Sequence, residues 1–109
     1  MANTFKNRTL RGVGATPIDV GAVVAAATQT TLIGMTLANV TSGVISVTAT
    51  LNDGSTTTHI VKDAPIPTGG SLVLLGGDQK VVLMTGDKII VTSNTASSVD
   101  VIMSFLEIT

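Results

Sequence analysis

The sequence predicts an all-β fold, a two-sheet antiparallel β-sandwich, and three observations support this prediction. The 109 residues are 44% hydrophobic but only 2% aromatic, and the β-branched residues Val, Ile and Thr that favour strands supply much of the chain. Turn-forming Gly, Asn, Asp and Pro recur at short intervals, which is typical of sandwiches and barrels. No segment between them has the length and the periodicity of a helix.

The N-terminal segment, residues 1–14, is polar and basic. Lys6, Arg8 and Arg11 precede every acidic residue, so residues 1–11 carry +3 within a chain whose net charge is −1. We therefore expect an extended N-terminal arm ahead of a single sandwich domain at residues 15–109. Such an arm would reach an acidic partner surface, because complementary charge favours register and rapid association. A frayed terminus is the alternative.

The most regular strand pattern lies in residues 43–51. One face would carry Ile45, Val47, Ala49 and Leu51, and the other Val44, Ser46, Thr48 and Thr50, which is the two-residue period of a strand. Asn52-Asp53-Gly54 accepts the positive φ of a tight hairpin, so residues 55–62 are expected to return antiparallel. Earlier strands are expected at residues 31–39 and, from a weaker pattern, at residues 18–24.

The second half of the chain is expected to add further short strands. Pro65-Ile66-Pro67 lacks two ladder donors and is expected to leave the sheet as a rigid connector at one end of the sandwich. Strands are expected at residues 71–75, 79–84, 88–93 and 99–108, and the last has apolar residues on both faces, as in a central strand or one covered by a neighbouring subunit. This strand count favours a jelly-roll-like order, with an immunoglobulin-like order as the alternative.

The sequence offers little for catalysis or for a cofactor. It contains no cysteine and one histidine, His59, and so it lacks a thiolate nucleophile and a multi-histidine metal centre. A surface position on a strand is the simpler interpretation of His59; a base beside a Ser or Thr is the alternative. Asp53, Asp78 and Asp87 adjoin glycine, which turn geometry explains, with calcium at a loop end as the alternative. We expect no cofactor and no enzymatic activity.

Glycine and charge patterns weaken the other binding classes. Gly12-Val13-Gly14 lacks the third glycine of a dinucleotide motif, and Gly76-Gly77 lacks the Lys-Ser/Thr ending of a P-loop. A net charge of −1 gives no general attraction to nucleic acid or to an anionic membrane. No apolar run is long enough to cross a bilayer, and the N-terminus lacks the apolar core of a secretion signal, so synthesis in a cytoplasm is expected. The low charge content indicates a surface covered in an assembly.

Several segments between residues 40 and 109 form a pattern shared by one group of proteins. They are VISV (44–47), HIVKDAPIP (59–67), GSLV (70–73), QKVVL (79–83), GDKIIV (86–91) and SVDVIMSFLEI (98–108). With this pattern the chain resembles the small β-sandwich structural proteins of tailed-bacteriophage virions. The resemblance implies a virion component without enzymatic activity.

Two placements in the virion follow from the resemblance. The first is a capsid decoration (cement) protein, which sits as a homotrimer on the capsid surface and clamps neighbouring major capsid subunits. The second is a small neck, tail or baseplate adaptor, or a fibre-associated protein. A binding module or hydrolase unrelated to phages is a third interpretation. The expected partner contacts are Lys6, Arg8 and Arg11 in the arm, and Pro65, Ile66 and Pro67 at a sandwich end.

Overall fold

The computed structural model describes residues 2–21, 23–76 and 80–109, and these residues form strands, turns and loops. The strands are β1 (Asn3–Val13), β2 (Ile18–Asp19), β3 (Gln29–Asn39), β4 (Ile45–Asn52), β5 (Thr57–Ile66), β6 (Ser71–Leu75), β7 (Val81–Leu83), β8 (Lys88–Ser93) and β9 (Val99–Ile108). The predicted all-β class is confirmed. Since the described residues contain no helix, none of them belongs to a long apolar helix that would cross a membrane.

The strands form two antiparallel sheets packed face to face. Sheet A has the order β1-β9-β3-β6, with the short β7 also paired with β3, and sheet B has the order β2-β8-β4-β5. Apart from the β4–β5 hairpin and the step from β6 to β7, every connection crosses from one sheet to the other. With β7 set aside, this is the jelly-roll order. The immunoglobulin-like alternative, in which the first two strands are neighbours, is not the one observed.

Alternate residues of the strands build the core between the sheets. Along β9, Val99, Val101, Met103 and Phe105 are buried, and the residues between them are more exposed. On β4, Ile45, Val47 and Ala49 are buried, and the alternation ends at Thr50, which is buried as well. The two-residue period of the sequence therefore marks the inner faces of the sheets, as expected for sandwich packing. The prediction that the last strand is central is confirmed, because β9 lies between β1 and β3.

The N-terminal segment belongs to sheet A in this structure. β1 pairs antiparallel with β9 from Asn3 opposite Ile108 to Leu10 opposite Val101. A bulge follows, in which Gly12 has a φ of 67°, and Val13 then enters the core at 1% exposure. Residues 3–13 are thus an edge strand of the sandwich, where the sequence suggested a segment ahead of residues 15–109. The contact of this segment with a partner stays a prediction.

The segment from 65 to 67 also differs from the expectation. β5 continues through Pro65 to Ile66, and these two residues pair with β4. A proline is tolerated here because β5 is an edge strand and the missing N–H faces away from the ladder. Ile66 is only 1% exposed, so its side chain is a core residue and is removed from the candidate partner contacts.

The other strands lie close to their predicted positions. β6, β8 and β9 have the predicted bounds, β3 begins at Gln29 rather than at residue 31, and β2 covers only the start of the predicted 18–24. The hairpin loop after β4 runs from 53 to 56, so β5 begins at Thr57. In the predicted 79–84 strand, Gln79 lies outside the described residues, as do Gly77 and Asp78 of the turn before it.

Candidate functional site

The outer faces of the two sheets differ in polarity. On sheet B, Thr48 lies opposite Thr92, and Lys88 Nζ is 3.8 Å from Asp19 Oδ2. Hydroxyl and charged groups of this kind are well solvated, so this face needs no cover. The outer face of sheet A is apolar by comparison, and it is the feature of the described residues that most needs an explanation.

Two rows of side chains cross the outer face of sheet A. The strand register places one residue of each of four strands in each row; the first row is Phe5, Leu106, Thr31 and Val82, and the second is Thr9, Ile102, Thr36 and Val73. We call these eight residues the apolar face. Phe5 is 75% exposed, Val73 66%, Ile102 57% and Val82 54%. Four large hydrophobic side chains are therefore in contact with solvent on one side of one sheet.

The apolar face carries no charged side chain in either row. Between the rows, Asn7 lies opposite Ser104, which lies opposite Gly34 on β3. Beyond the second row, Asp100 has a carboxylate whose Oδ1 accepts a hydrogen bond from the Gly12 N–H at 3.0 Å. Large hydrophobic side chains exposed together on one side of a small protein mark a site of interaction with another molecule.

The basic residues of β1 do not share one surface. Lys6 lies opposite Phe105 and Arg8 opposite Met103, and both partners point into the sandwich, so Lys6 and Arg8 lie on the inner side of β1. Lys6 Nζ donates a hydrogen bond to Glu107 Oε1 at 2.9 Å. Arg11 is exposed and follows the outward side of the strand. The structure thus brings Lys6 and Arg8 together and separates Arg11 from them.

Arg8 lies at one end of the sandwich, beside residues that follow β2, among them Val20 and Gly21. Its guanidinium carbon is 5.5 Å from the centroid of the Phe105 ring, a cation–π contact. Gly21, with a φ of 86°, passes so close that a Cβ there would collide with the Arg8 side chain. A cleft of about 220 Å³ opens at this end, lined by apolar residues together with Arg8 and Glu107. Arg8 is positioned by the Phe105 ring, and Glu107 is positioned by its ion pair with Lys6.

Pro65 and Pro67 are exposed at the opposite end of the sandwich. The chain turns after them through a Gly70 N–H to Pro67 C=O hydrogen bond of 2.9 Å, with Gly69 at a φ of 72°. This is the rigid loop that the prolines predicted, displaced by the continuation of β5. In the described part of the chain, the loop around Pro65 and Pro67 does not adjoin the apolar face or Lys6 and Arg8.

Asn39 holds this loop end and was not singled out from the sequence. Its side chain is buried, and Nδ2 donates to the carbonyl groups of Ile66 at 2.9 Å and Gly43 at 2.8 Å. Its Oδ1 accepts from the Thr41 N–H at 2.9 Å. The sequence carried one signal of this role, because Asn39 falls on the buried side of its strand together with Leu37.

The candidate catalytic groups are dispersed. His59 is exposed on β5 opposite Thr50, as the surface interpretation expects. Asp53 Oδ1 accepts hydrogen bonds from the N–H groups of Ser55 at 3.0 Å and Thr56 at 2.7 Å, which lower the pKa of Asp53. Its place in the hairpin loop therefore follows from turn geometry. Within residues 2–21, 23–76 and 80–109, no group of three or more His, Asp or Glu side chains could hold a metal ion.

Comparisons with known proteins do not assign the chain to a family. No protein-family model matches it, and a search of curated proteins finds no match. A function is therefore argued from the fold and its surfaces.

Proposed function

We propose that the protein is a non-enzymatic structural protein of a phage virion and that it binds an assembly partner through the apolar face. The observation that carries the proposal is the exposure of Phe5, Val73, Val82 and Ile102 in two rows of sheet A that contain no charged side chain. Water is a poor solvent for such a surface, and burial contributes about 25 cal/mol for each Å² removed from water. The resemblance of residues 40–109 to small virion proteins supports the kind of assembly.

Within the virion, we propose decoration of the capsid. A homotrimer on the capsid surface would bind the assembled major capsid subunits and not the free ones. Such a ligand stabilises the lattice by about 2.7 kcal/mol per site when its concentration is about one hundred times Kd. The proposed role is thus thermodynamic, and a small sandwich with one apolar face is suited to it.

Cryo-electron microscopy of virions that carry a tagged copy of the chain tests the placement. Many copies spread over the capsid lattice are the expected result. A few copies at one vertex or along the tail would contradict decoration and support the neck or tail adaptor. Absence of the chain from purified particles would overturn the virion proposal itself.

The substitution Ile102→Lys tests the role of the apolar face. Ile102 is 57% exposed, so we expect the isolated protein to change in stability by no more than about 0.5 kcal/mol. Incorporation into particles, measured by quantitative mass spectrometry, is expected to fall about tenfold or more, because a charge in the second row must be desolvated. Thr92→Lys on the outer face of sheet B is the matched control. Equal incorporation of the two variants would show that the apolar face is not the contact.

A further inference from the structure

The edge of sheet A formed by β1 is long and regular. β1 contains 11 residues and pairs, in the described part of the chain, with β9 alone. The remaining edges are interrupted or short: β5 has two register shifts and Pro65, β6 has 5 residues and β2 has 2. From Asn3 to Leu10, ahead of the bulge at Gly12, β1 pairs with β9 without a register shift. Such an edge is a template on which another extended segment can pair.

Hydrogen bonds at the termini show which backbone groups face this edge. Ala2 and Thr109 exchange two backbone hydrogen bonds, of 3.0 and 2.9 Å, and so form a hydrogen-bonded pair. Because such pairs alternate along an antiparallel ladder, the even-numbered residues from 4 to 10 direct their N–H and C=O groups to β9. The odd-numbered residues from 3 to 9 direct their N–H and C=O groups away from β9, towards the open edge of the sheet. Phe5 and Thr9, whose side chains belong to the apolar face, are among the residues with backbone groups at this open edge.

The charge on β1 disfavours a second copy of the same strand at this edge. If a second copy of β1 paired antiparallel near the middle of the strand, three registers would be available. They would place Lys6 opposite Lys6, Lys6 opposite Arg8, or Arg8 opposite Arg8. Like charges directly opposite each other destabilise a strand pair. The even-numbered residues would also stand in the non-hydrogen-bonded pairs, where side chains come closest. The edge is therefore matched to a strand of opposite charge.

We propose that β1 accepts an extended acidic segment of the assembly partner as an additional strand of sheet A. The segment would place carboxylates beside Lys6 and Arg8 and small or apolar residues beside Phe5 and Thr9, which lengthens the apolar face. β1 carries the cations Lys6, Arg8 and Arg11. Of these, Arg8 and Arg11 have no carboxylate oxygen within 4.0 Å among the described residues. The inference rests on the proposed function, and it specifies the kind of segment that the partner supplies.

The substitution Asn7→Pro tests the edge in particles. Proline removes the outward N–H of residue 7 and leaves the bonds between β1 and β9, since a proline is tolerated on an edge strand when its nitrogen faces solvent. Asn7→Ala is the matched control, and circular dichroism and thermal melts establish that both variants fold. We expect Asn7→Ala to be incorporated into particles at the wild-type level. Incorporation of Asn7→Pro is expected to fall by a factor of about ten or more.

The outcomes separate this inference from the proposed function. Incorporation of Asn7→Pro at the wild-type level overturns strand addition and leaves the virion role intact. If the wild-type chain is absent from particles, the virion role fails. Strand addition at β1 is then tested on the isolated protein.

A strand fused ahead of Ala2 through an Asn-Gly turn tests the edge without particles. One version carries Glu beside Lys6 and Arg8, and the other carries Lys at the same positions. The tether supplies an effective concentration in the mM range, so that weak pairing is detected. We expect the amide protons of Phe5, Asn7 and Thr9 to exchange about tenfold more slowly, or slower still, in the Glu version.

The amide protons of Lys6 and Arg8 serve as internal controls, because they are bonded to β9 with or without an added strand. Equal exchange at Asn7 in the Glu and Lys versions overturns the preference for an acidic segment. Rapid exchange at Asn7 in both versions, with Lys6 and Arg8 protected, overturns strand addition.

Discussion

At the scale of single residues, Asn39 contributes most to one end of the sandwich. Its side chain joins Ile66 and Gly43, and its backbone N–H donates to the Gly70 carbonyl at 3.0 Å. One buried amide thus ties the end of β3 to two loops. A buried polar group with all its partners stabilises the fold, whereas removal of one partner leaves the others unsatisfied.

We therefore expect Asn39→Ala to lower the free energy of unfolding by about 2–4 kcal/mol. Urea denaturation followed by circular dichroism measures the change. Asn94→Ala is the control, because Asn94 accepts an exposed hydrogen bond from the Ser46 N–H at 3.0 Å, and its loss should cost at most about 1 kcal/mol. Equal costs for the two variants would contradict the role of Asn39.

Asp53 gives a pH-dependent prediction. Hydrogen bonds from the N–H groups of Ser55 and Thr56 lower its folded-state pKa below the ordinary value of 3.8. A carboxyl with a lowered pKa stabilises the fold fully above its unfolded-state value and loses this contribution as the pH falls through the folded-state value. We expect Asp53→Asn to melt below the wild type at about pH 6 and the two melting temperatures to converge near about pH 2. A difference that is the same at both pH values would contradict this assignment.

Residue positions were predictable where local geometry decides them. The Asp53 loop followed from turn chemistry, and the exposed His59 followed from its place in a polar strand. Ile66 was not predictable, because its burial depends on the pairing of β5 with β4 across the proline. The alternation along β3 indicated that Asn39 is buried, but its bond to Ile66 was not predictable, since the fold brings that residue from 27 positions away.

At the scale of elements, strands were recognisable where apolar and polar residues alternate. β4, β8 and β9 satisfy this condition, and their positions were predicted closely. β1 does not, because the inward residues of its first half are Thr4, Lys6 and Arg8. Those polar side chains are compatible with a strand because Lys6 pairs with Glu107 and Arg8 lies over the Phe105 ring. Residues 3–13 form a strand because they pair with β9, and their own sequence pattern does not predict it.

Deletion of residues 1–14 tests this account of β1. It would remove Val13 from the core and uncover the edge of β9, and we expect a loss of at least about 3 kcal/mol in the free energy of unfolding. The triple variant Lys6→Ala, Arg8→Ala, Arg11→Ala keeps the strand and should lose only about 1–2 kcal/mol, because an exposed ion pair and a cation–π contact are weak. Chemical denaturation compares the two. A deletion as stable as the wild type would mean that β1 is dispensable for the fold.

At the scale of the whole molecule, the sequence was informative about architecture and less so about surfaces. Composition and turn spacing predicted the sandwich, and the strand count favoured the jelly-roll order that is observed. The two apolar sides of β9 left two explanations open. Its central position is confirmed, and the covering of Ile102 by a neighbouring subunit stays a prediction. Which side of a sheet faces solvent is a property of both sheets together, so no single strand pattern reveals it.

The pairing of the first strand with the last has a consequence for synthesis. Among the nine strands of the described residues, β1 is translated first and its partner β9 is translated ninth. At ordinary rates of about 5–20 residues per second, β1 has no β9 to pair with for roughly 4–17 s. We expect the charges of Lys6, Arg8 and Arg11 to disfavour aggregation of this unpaired segment before sheet A closes.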